Sequence, residues 1–281
     1  MRTSRNNRLF ALPTSPPEIL DLVGARYHLA GVFKHDFFAA TCLYELVSEP
    51  TPDAIPKIVV KFGRSQEFMG LPCAWYAHFM QAHEKAIYHA LAGVDGVPRW
   101  AGDIGKTAYA IEYIEAKPLD HLEKPPAGFF DQLMPLLEKI HARGVAYVDA
   151  NKRSNILVTD AGKPYLIDFQ ISFRLRDDLP RPIRSIIARA FNYIIKRDVY
   201  HFLKHKRRLC PEELTTEEDA LSRQRSGLHA LHRKLTKPYR TLRRKFLHKQ
   251  QKSGLLTSPT EKLETHHQPE KATWRDEKKL S

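Results

Sequence analysis

The prevailing period of the apolar residues shifts along the chain from strand-like to helical, and that shift limits what it can fold into. Before about Ile114 the apolar runs are short and strand-like: Tyr27–Leu29, Ala39–Val47, Ile58–Lys61, Pro98–Ala101 and Ala108–Ile114. The segment GVFKHDFFA reads as a loop between the first two. Only Trp75 to Ala92 carries helical spacing there, and it ends at Gly93 as a C-cap would. Past Pro125 and Pro126 the period becomes helical, with Phe129, Phe130, Leu133, Leu136, Leu137 and Ile140 on one face and Gly144 closing the segment. Two short strands follow, Asn155–Val158 and Tyr165–Asp168, joined by a turn containing Asp-Ala-Gly. Helices then dominate, over Ile183–Lys196 and in a run opened by the capping signal Thr215-Thr216-Glu217-Glu218. Strands first and helices second predict an α+β fold: a small antiparallel sheet with one helix over residues 24–115, and a larger helical part over 116–252. Residues 1–23 read as a polar lead, and 253–281, rich in charge, His and Pro, as a disordered tail.

At 281 residues with 42% hydrophobic content, the chain can bury a sizeable core. Cys42, Cys73 and Cys210 are odd in number and lack C-x-x-C spacing, which argues against a disulfide framework or a zinc site. The amino terminus has no apolar core of the signal-peptide kind and no apolar run approaches a membrane span, so a cytoplasmic protein is expected. The net charge is +13, and essentially all the excess lies between Ser172 and Lys252, where 22 Lys/Arg face 8 Asp/Glu. A solvated basic face, an anionic partner such as a phosphorylated lipid, and nucleic acid all fit that charge. Aromatic residues are sparse among these basic ones, which counts against single-strand nucleic-acid binding.

The polar residues fall in a particular order. Lys61 ends the apolar strand IVVK, and Glu84 lies on the helix after it. AIEYI (Ala110–Ile114) is an apolar strand; YVDANKRSNILV and YLIDFQ then bring Asp149, Lys152, Asn155 and Asp168 around a strand, a tight turn and a second strand. Asp198 sits in RDVYHF. Over about Gly24 to Cys210 this order resembles the protein-kinase superfamily, and especially its divergent bacterial branch with the lipopolysaccharide core-sugar (Kdo/heptose) kinases and RIO-like kinases. The resemblance implies a two-lobed protein-kinase-like fold and transfer of the γ-phosphoryl group of ATP with Mg²⁺. It implies that Lys61 neutralises the α/β-phosphates and that Glu84 orients it. Backbone groups of Glu112 and Ile114 would hold the adenine edge, with Ile111 as gatekeeper. Asp149 would act as catalytic base, with Lys152 on the γ-phosphate; Asn155 and Asp168 would be the metal ligands, hard oxygen donors of the kind magnesium takes. Asp198 would tie down the backbone of the catalytic loop.

The chain departs from the family pattern at several places. Asp149 lies six residues before Asn155 where the family has five, so strict register would put Ala150 in the base position; a loop one residue longer keeps Asp149 in the role. Tyr147 and Val148 replace His-Arg before the base, Gln170 replaces the glycine of Asp-Phe-Gly, and no Ala-Pro-Glu follows. A site assembled without loop phosphorylation, and without a peptide-docking activation segment, is the expectation. The phosphate-covering hairpin offers Gly31 alone, with Lys34 or His35 as candidate sources of positive charge. Ile183, Ile186, Ile187, Ala190, Phe191, Ile194 and Ile195 form an apolar helical stripe bordered by Arg184, Arg189, Lys196 and Arg197, with Lys204, Lys206, Arg207 and Arg208 extending the charge. It reads as a packing face, or as a surface in peripheral contact with an anionic membrane. The expected acceptor is an anionic glycolipid such as a lipopolysaccharide core sugar or another hydroxyl acceptor; a serine/threonine protein kinase and a catalytically weak pseudokinase scaffold are the competing readings.

Overall fold

The computed structural model describes residues 10–49, 54–67, 74–176, 178 and 180–223. The expected disordered tail and Cys73 lie outside them. The described residues divide into two compact units, those up to Ala82 with Ala101–Tyr113 in one, and His83–Trp100 with Ile114–Arg223 in the other.

The first unit is built on a six-stranded antiparallel sheet. Its strands are β1 (Ile19–Leu22), β2 (Ala25–His35), β3 (Ala39–Leu46), β4 (Lys57–Gly63), β5 (Trp100–Ile104) and β6 (Ala108–Glu112), in the order β1-β2-β3-β4-β6-β5. Alternation decides which face is inside. Ala40, Cys42 and Tyr44 of β3 and Ile58, Val60 and Phe62 of β4 are buried, with half-exposed residues between them, so each strand presents every second side chain to one core. Burial pushes the Cys42 thiol up to about 12, leaving it an inert core residue. The sequence hides β1 in its polar lead. A two-residue hairpin, Val23 and Gly24 at φ 49° and 76°, turns β1 onto β2 with Leu22 opposite Ala25. Phe10 and Ala11 are also buried, and Leu12 packs against this core, so the lead contributes to it.

The expected loop GVFKHDFFA is instead mostly strand. β2 runs to His35, accommodating register shifts at Leu29/Gly31 and Val32/Lys34, and the reversal takes only Asp36, Phe37 and Phe38. The Asp36 carboxylate accepts from the amides of Phe38 and Ala39 at 2.8 and 2.9 Å, a side-chain cap that makes the short turn stable. Beneath it Arg64 is fully buried, yet satisfied: it donates to the carbonyls of Gln66, Phe10, Phe37 and Glu67 and lies 4.0 Å over the Phe37 ring.

Helix α1 (Ala74–Ala90) is shorter than expected at its end, where Gly93 at φ 77° follows a turn. In the second unit α2 (Phe129–Ala142) buries the six apolar residues named from its periodicity. β7 (Ala116–Pro118), β9 (Ile156–Thr159) and β10 (Pro164–Leu166) form a three-stranded sheet, and β8 (Val145–Ala146) pairs with β11 (Phe173–Arg174). The β9–β10 turn is closed by the Gly162 amide on the Thr159 carbonyl at 2.8 Å, with Gly162 at φ 78° where a side chain would be strained. α3 (Arg181–Leu209) is one unbroken 29-residue helix where the sequence suggested one ending at Lys196. α4 (Thr216–Arg223) begins with a reciprocal capping box: Glu218 N donates to Thr215 Oγ1 at 3.2 Å and Thr215 N to Glu218 Oε2 at 2.9 Å. The α+β class read from the sequence is the class observed, with an antiparallel sheet in one unit and most helix in the other. Among the described residues no helix is long and apolar enough to cross a membrane.

Candidate active site

In the second unit the segment from Val145 to Ser172 gathers the polar residues. Asn155 Nδ2 donates to Asp149 Oδ2 at 3.0 Å, and Lys152 Nζ lies 2.5 Å from the same oxygen. A base candidate, an ammonium and a carboxamide therefore converge within one short loop. Asn155 uses its amide nitrogen on Asp149, and its Oδ1 accepts from Ser154 Oγ at 3.4 Å. Asp149 is half-buried, and removal from water pushes its carboxyl above the usual aspartate range. Lys152 works in the opposite direction, and the Asp168 carboxylate pushes it up further. Ala150, the strict-register alternative, is fully buried, and its carbonyl accepts from His205 Nε2 at 3.0 Å. That position has no side-chain functional group and is closed to solvent.

Asp168 was expected to end a strand. It does not, because β10 stops at Leu166 and Asp168 takes φ 60°, a left-handed conformation that costs a non-glycine residue about 1–2 kcal/mol. Val148, the residue before Asp149, has φ 67°. Two strained residues adjoining candidate chemical groups require a framework that over-determines them, and the surrounding hydrogen bonds supply it.

Asp198, buried on α3, accepts three of these bonds. Its Oδ2 takes the Tyr147 amide at 2.7 Å and His141 Nε2 at 3.2 Å, and its Oδ1 takes the Val148 amide at 2.9 Å. The backbone-tethering role read for Asp198 is what its side chain does. Tyr147, fully buried, donates its hydroxyl to the Ile167 carbonyl at 2.6 Å with the Asn155 carbonyl at 3.1 Å, and the Ile167 amide donates to Asn155 O at 3.1 Å. One phenol thus links the residue before Asp168 to Asn155 and, through two backbone bonds, to Asp149. The Tyr147 ring meets the rings of Phe169 and Phe202 edge-on. Ser172 Oγ donates to the Tyr147 carbonyl at 3.0 Å, and His83 from α1 reaches Ser172 O at 3.0 Å. The supporting roles of Tyr147, His141, Ser172 and His205 are absent from the sequence reading. Tyr147 could have been found as the aromatic two positions before Asp149; the histidines carry no such signal.

The other expected residues are placed as follows. Glu84 on α1 is almost fully buried, which a solvated helix carboxylate would not be. Ile114 is half-buried, just beyond β6. In the first unit Lys61 lies on the face of β4 opposite Ile58, Val60 and Phe62, with Thr41 and Tyr109 as strand partners and its Nζ 5.9 Å from the Tyr109 ring. Glu112 ends β6 opposite Ile58, and Ile111 faces Val59. Gly31 sits in β2 opposite Leu43, inside a strand and not in a loop. Of the two candidate charges beside it, His35 is buried with Nε2 accepting from the Leu12 amide at 3.1 Å, so it holds the lead and not a phosphate, while Lys34 is partly exposed and pairs with Asp36 at the turn. Lys206 is not part of a basic surface either. It is buried and bound by both oxygens of Glu218 at 2.9 Å, with Asp131 at 3.4 Å.

No family model matches the chain, and no curated protein matches it. Among solved structures the chain is similar to the Rio2 kinase from Chaetomium thermophilum, at 16% identity and a TM-score of 0.47, over 67% of this chain and 60% of that one. The ADP/Mg²⁺-phosphoaspartate complex of the Rio2 kinase from that organism gives the same identity, TM-score and share of this chain, and 58% of its own. The chain thus spans about 60% of the length of these structures.

Proposed function

We propose that this chain is an ATP-dependent phosphotransferase that moves the γ-phosphoryl group to a hydroxyl of an anionic acceptor, a lipopolysaccharide core sugar or similar glycolipid. The observation that carries the reading is the convergence of Lys152 and Asn155 on one carboxylate oxygen of Asp149, in a loop held by Asp198 and Tyr147. In this reading Asp149 orients the acceptor hydroxyl and takes its proton. Desolvation favours that role, because a carboxylate with a raised pKa is a stronger base. Lys152 meets the transferring phosphoryl group.

The donor set fits magnesium: the carboxamide oxygen of Asn155 and the carboxylate of Asp168 are hard oxygen ligands. Bound there, the ion would neutralise phosphate charge during transfer. Lys61 and Glu84 take the α/β-phosphate roles, Gly31 the backbone approach to phosphate, and Glu112 and Ile114 the adenine edge. The acceptor class rests on the missing peptide-docking segment and on the basic sequence after Ser172.

The test uses purified full-length protein, Mg²⁺ and labelled ATP with lipopolysaccharide core extract or a mixture of polypeptides as acceptor. Label in the glycolipid, lost in Asp149→Asn, is the expected result. Label in polypeptide alone would replace the glycolipid with a protein acceptor. Equal background in the parent and Asp149→Asn would leave a nucleotide-binding scaffold.

A further inference from the structure

The apolar stripe read on α3 is two stripes, and they face different ways. Phe191 is buried, its ring 6.4 Å from that of Phe173, and Ile187, Ile194 and Ile195 beside it are half-buried. Ile183, Ile186, Ala190 and Tyr193, at i, i+3, i+7 and i+10, form a second line on the same helix. All four are exposed, Ile183 by 48%, Ile186 by 68% and Tyr193 by 38%. None of residues 181–190 is buried, whereas Asp198, His201, Phe202, Leu203, His205 and Lys206 anchor the following turns. Rigidity at one end of an unbroken helix therefore fixes a stretch of about 24 Å, residues 181–196, with an outward apolar line.

The charge around that line is of one sign. From residue 179 to residue 197 the chain has Arg181, Arg184, Arg189, Lys196 and Arg197 and no Asp or Glu. Arg181, Arg184, Arg189 and Lys196 are exposed, and the Arg197 guanidinium lies 6.0 Å from the Tyr193 ring. Isoleucines interleaved with cations and a tyrosine are the composition of a helix that lies in a lipid–water interface. There the isoleucines enter the acyl boundary, the tyrosine sits at headgroup level and the long basic chains reach the phosphates. A second copy of the chain is a poor occupant, since a two-fold contact through this face would set arginines against arginines. We propose that the outward face of α3 over Ile183–Lys196 docks the protein on an anionic bilayer. The surface acts independently of nucleotide and stands whether or not the phosphotransferase reading does.

The experiment is vesicle flotation with full-length protein, using phosphatidylcholine vesicles with and without phosphatidylglycerol. Residues 224–252 add ten Lys/Arg and no acidic residue, so an electrostatic baseline shared by every variant is expected. Ile183→Ser/Ile186→Ser tests the apolar line, and Arg181→Gln/Arg189→Gln the charge. Both pairs are exposed, so folding is retained, as circular dichroism would verify. The parent should float with phosphatidylglycerol vesicles and not with phosphatidylcholine alone, and each double variant should bind roughly tenfold more weakly or worse. Equal binding by the parent and the isoleucine variant would overturn the proposal, as would equal binding to both vesicle types. A fall in sedimenting mass from dimer to monomer in the isoleucine variant, without loss of flotation, would assign the face to self-association instead.

Discussion

Replacing Asp198 by asparagine changes one oxygen to an NH₂ at nearly constant shape, and its cost can be worked from the bonds it makes. The carboxylate accepts three N–H groups, Val148 N on Oδ1 and Tyr147 N and His141 Nε2 on Oδ2. A carboxamide has one oxygen. Its better orientation keeps that oxygen toward Tyr147 and His141, so its NH₂ faces the Val148 amide and a partly buried donor is left facing another donor, at about 1–3 kcal/mol. The two surviving bonds lose their ionic character, at about 0.5–1 kcal/mol each. The sum is about 3 kcal/mol, and for a unit of this size that lowers the melting temperature by about 6–12 °C. The loss falls on the residue already strained at φ 67°, directly before Asp149, so activity should drop by more than the unfolded fraction explains. Calorimetric melts and phosphoryl-transfer rates on Asp198→Asn, measured well below its melting point, read both effects. A melting temperature within about 1 °C of the parent, with unchanged transfer, would refute the tethering role.

Three further outcomes follow from the same geometry. Tyr147→Phe keeps the ring packing and removes the hydroxyl bond to Ile167, so a loss of about 1 kcal/mol in denaturant titrations is expected, with a higher magnesium requirement for transfer and little change in binding of metal-free nucleotide. Burial pulls the His205 pKa down to about 4. The neutral form favoured on folding therefore contributes fully above pH 6.5, and its contribution is lost as pH falls toward 4. By about pH 5 the parent should lose roughly 2 kcal/mol through this residue that His205→Gln does not lose, and parallel pH–stability curves would contradict this. The acid limb of the transfer rate should titrate above the ordinary aspartate value of 3.8, because burial raises Asp149, and Asp149→Asn should lose roughly a hundredfold or more in rate.

The legible parts of the fold are those set by local pattern. Short strand-like apolar runs marked β3 and β4, i/i+3/i+4 spacing marked α2, and the Thr215–Glu218 signal marked the start of α4, because each is decided by residues a few positions apart. The illegible parts depend on distant partners. β1 lies in a polar stretch and becomes a strand only by pairing with β2 through a Val-Gly turn. Residues 31–35 read as loop, yet β3 pairs with Gly31, Val32, Lys34 and His35 across an irregularity at Phe33. Lys206 looks like surface charge until Glu218 and Asp131 enclose it. The same division holds in the site. Asp149, Lys152, Asn155 and Asp168 could be named from order along the chain, and the first three meet as that order suggested. The tethers at His141, Tyr147 and His205 act on groups up to 57 residues away, a relation that no local pattern encodes.

The central claim is that this loop and its partner residues exist to hold a magnesium-bound nucleoside triphosphate. Isothermal titration of the full chain with ATP, in Mg²⁺ and then in excess chelator, addresses it without any knowledge of the acceptor. Saturable heat with Mg²⁺ that is strongly weakened by the chelator and by Asp168→Ala is the expected result. A folded protein giving no binding heat with Mg·ATP would contradict the account.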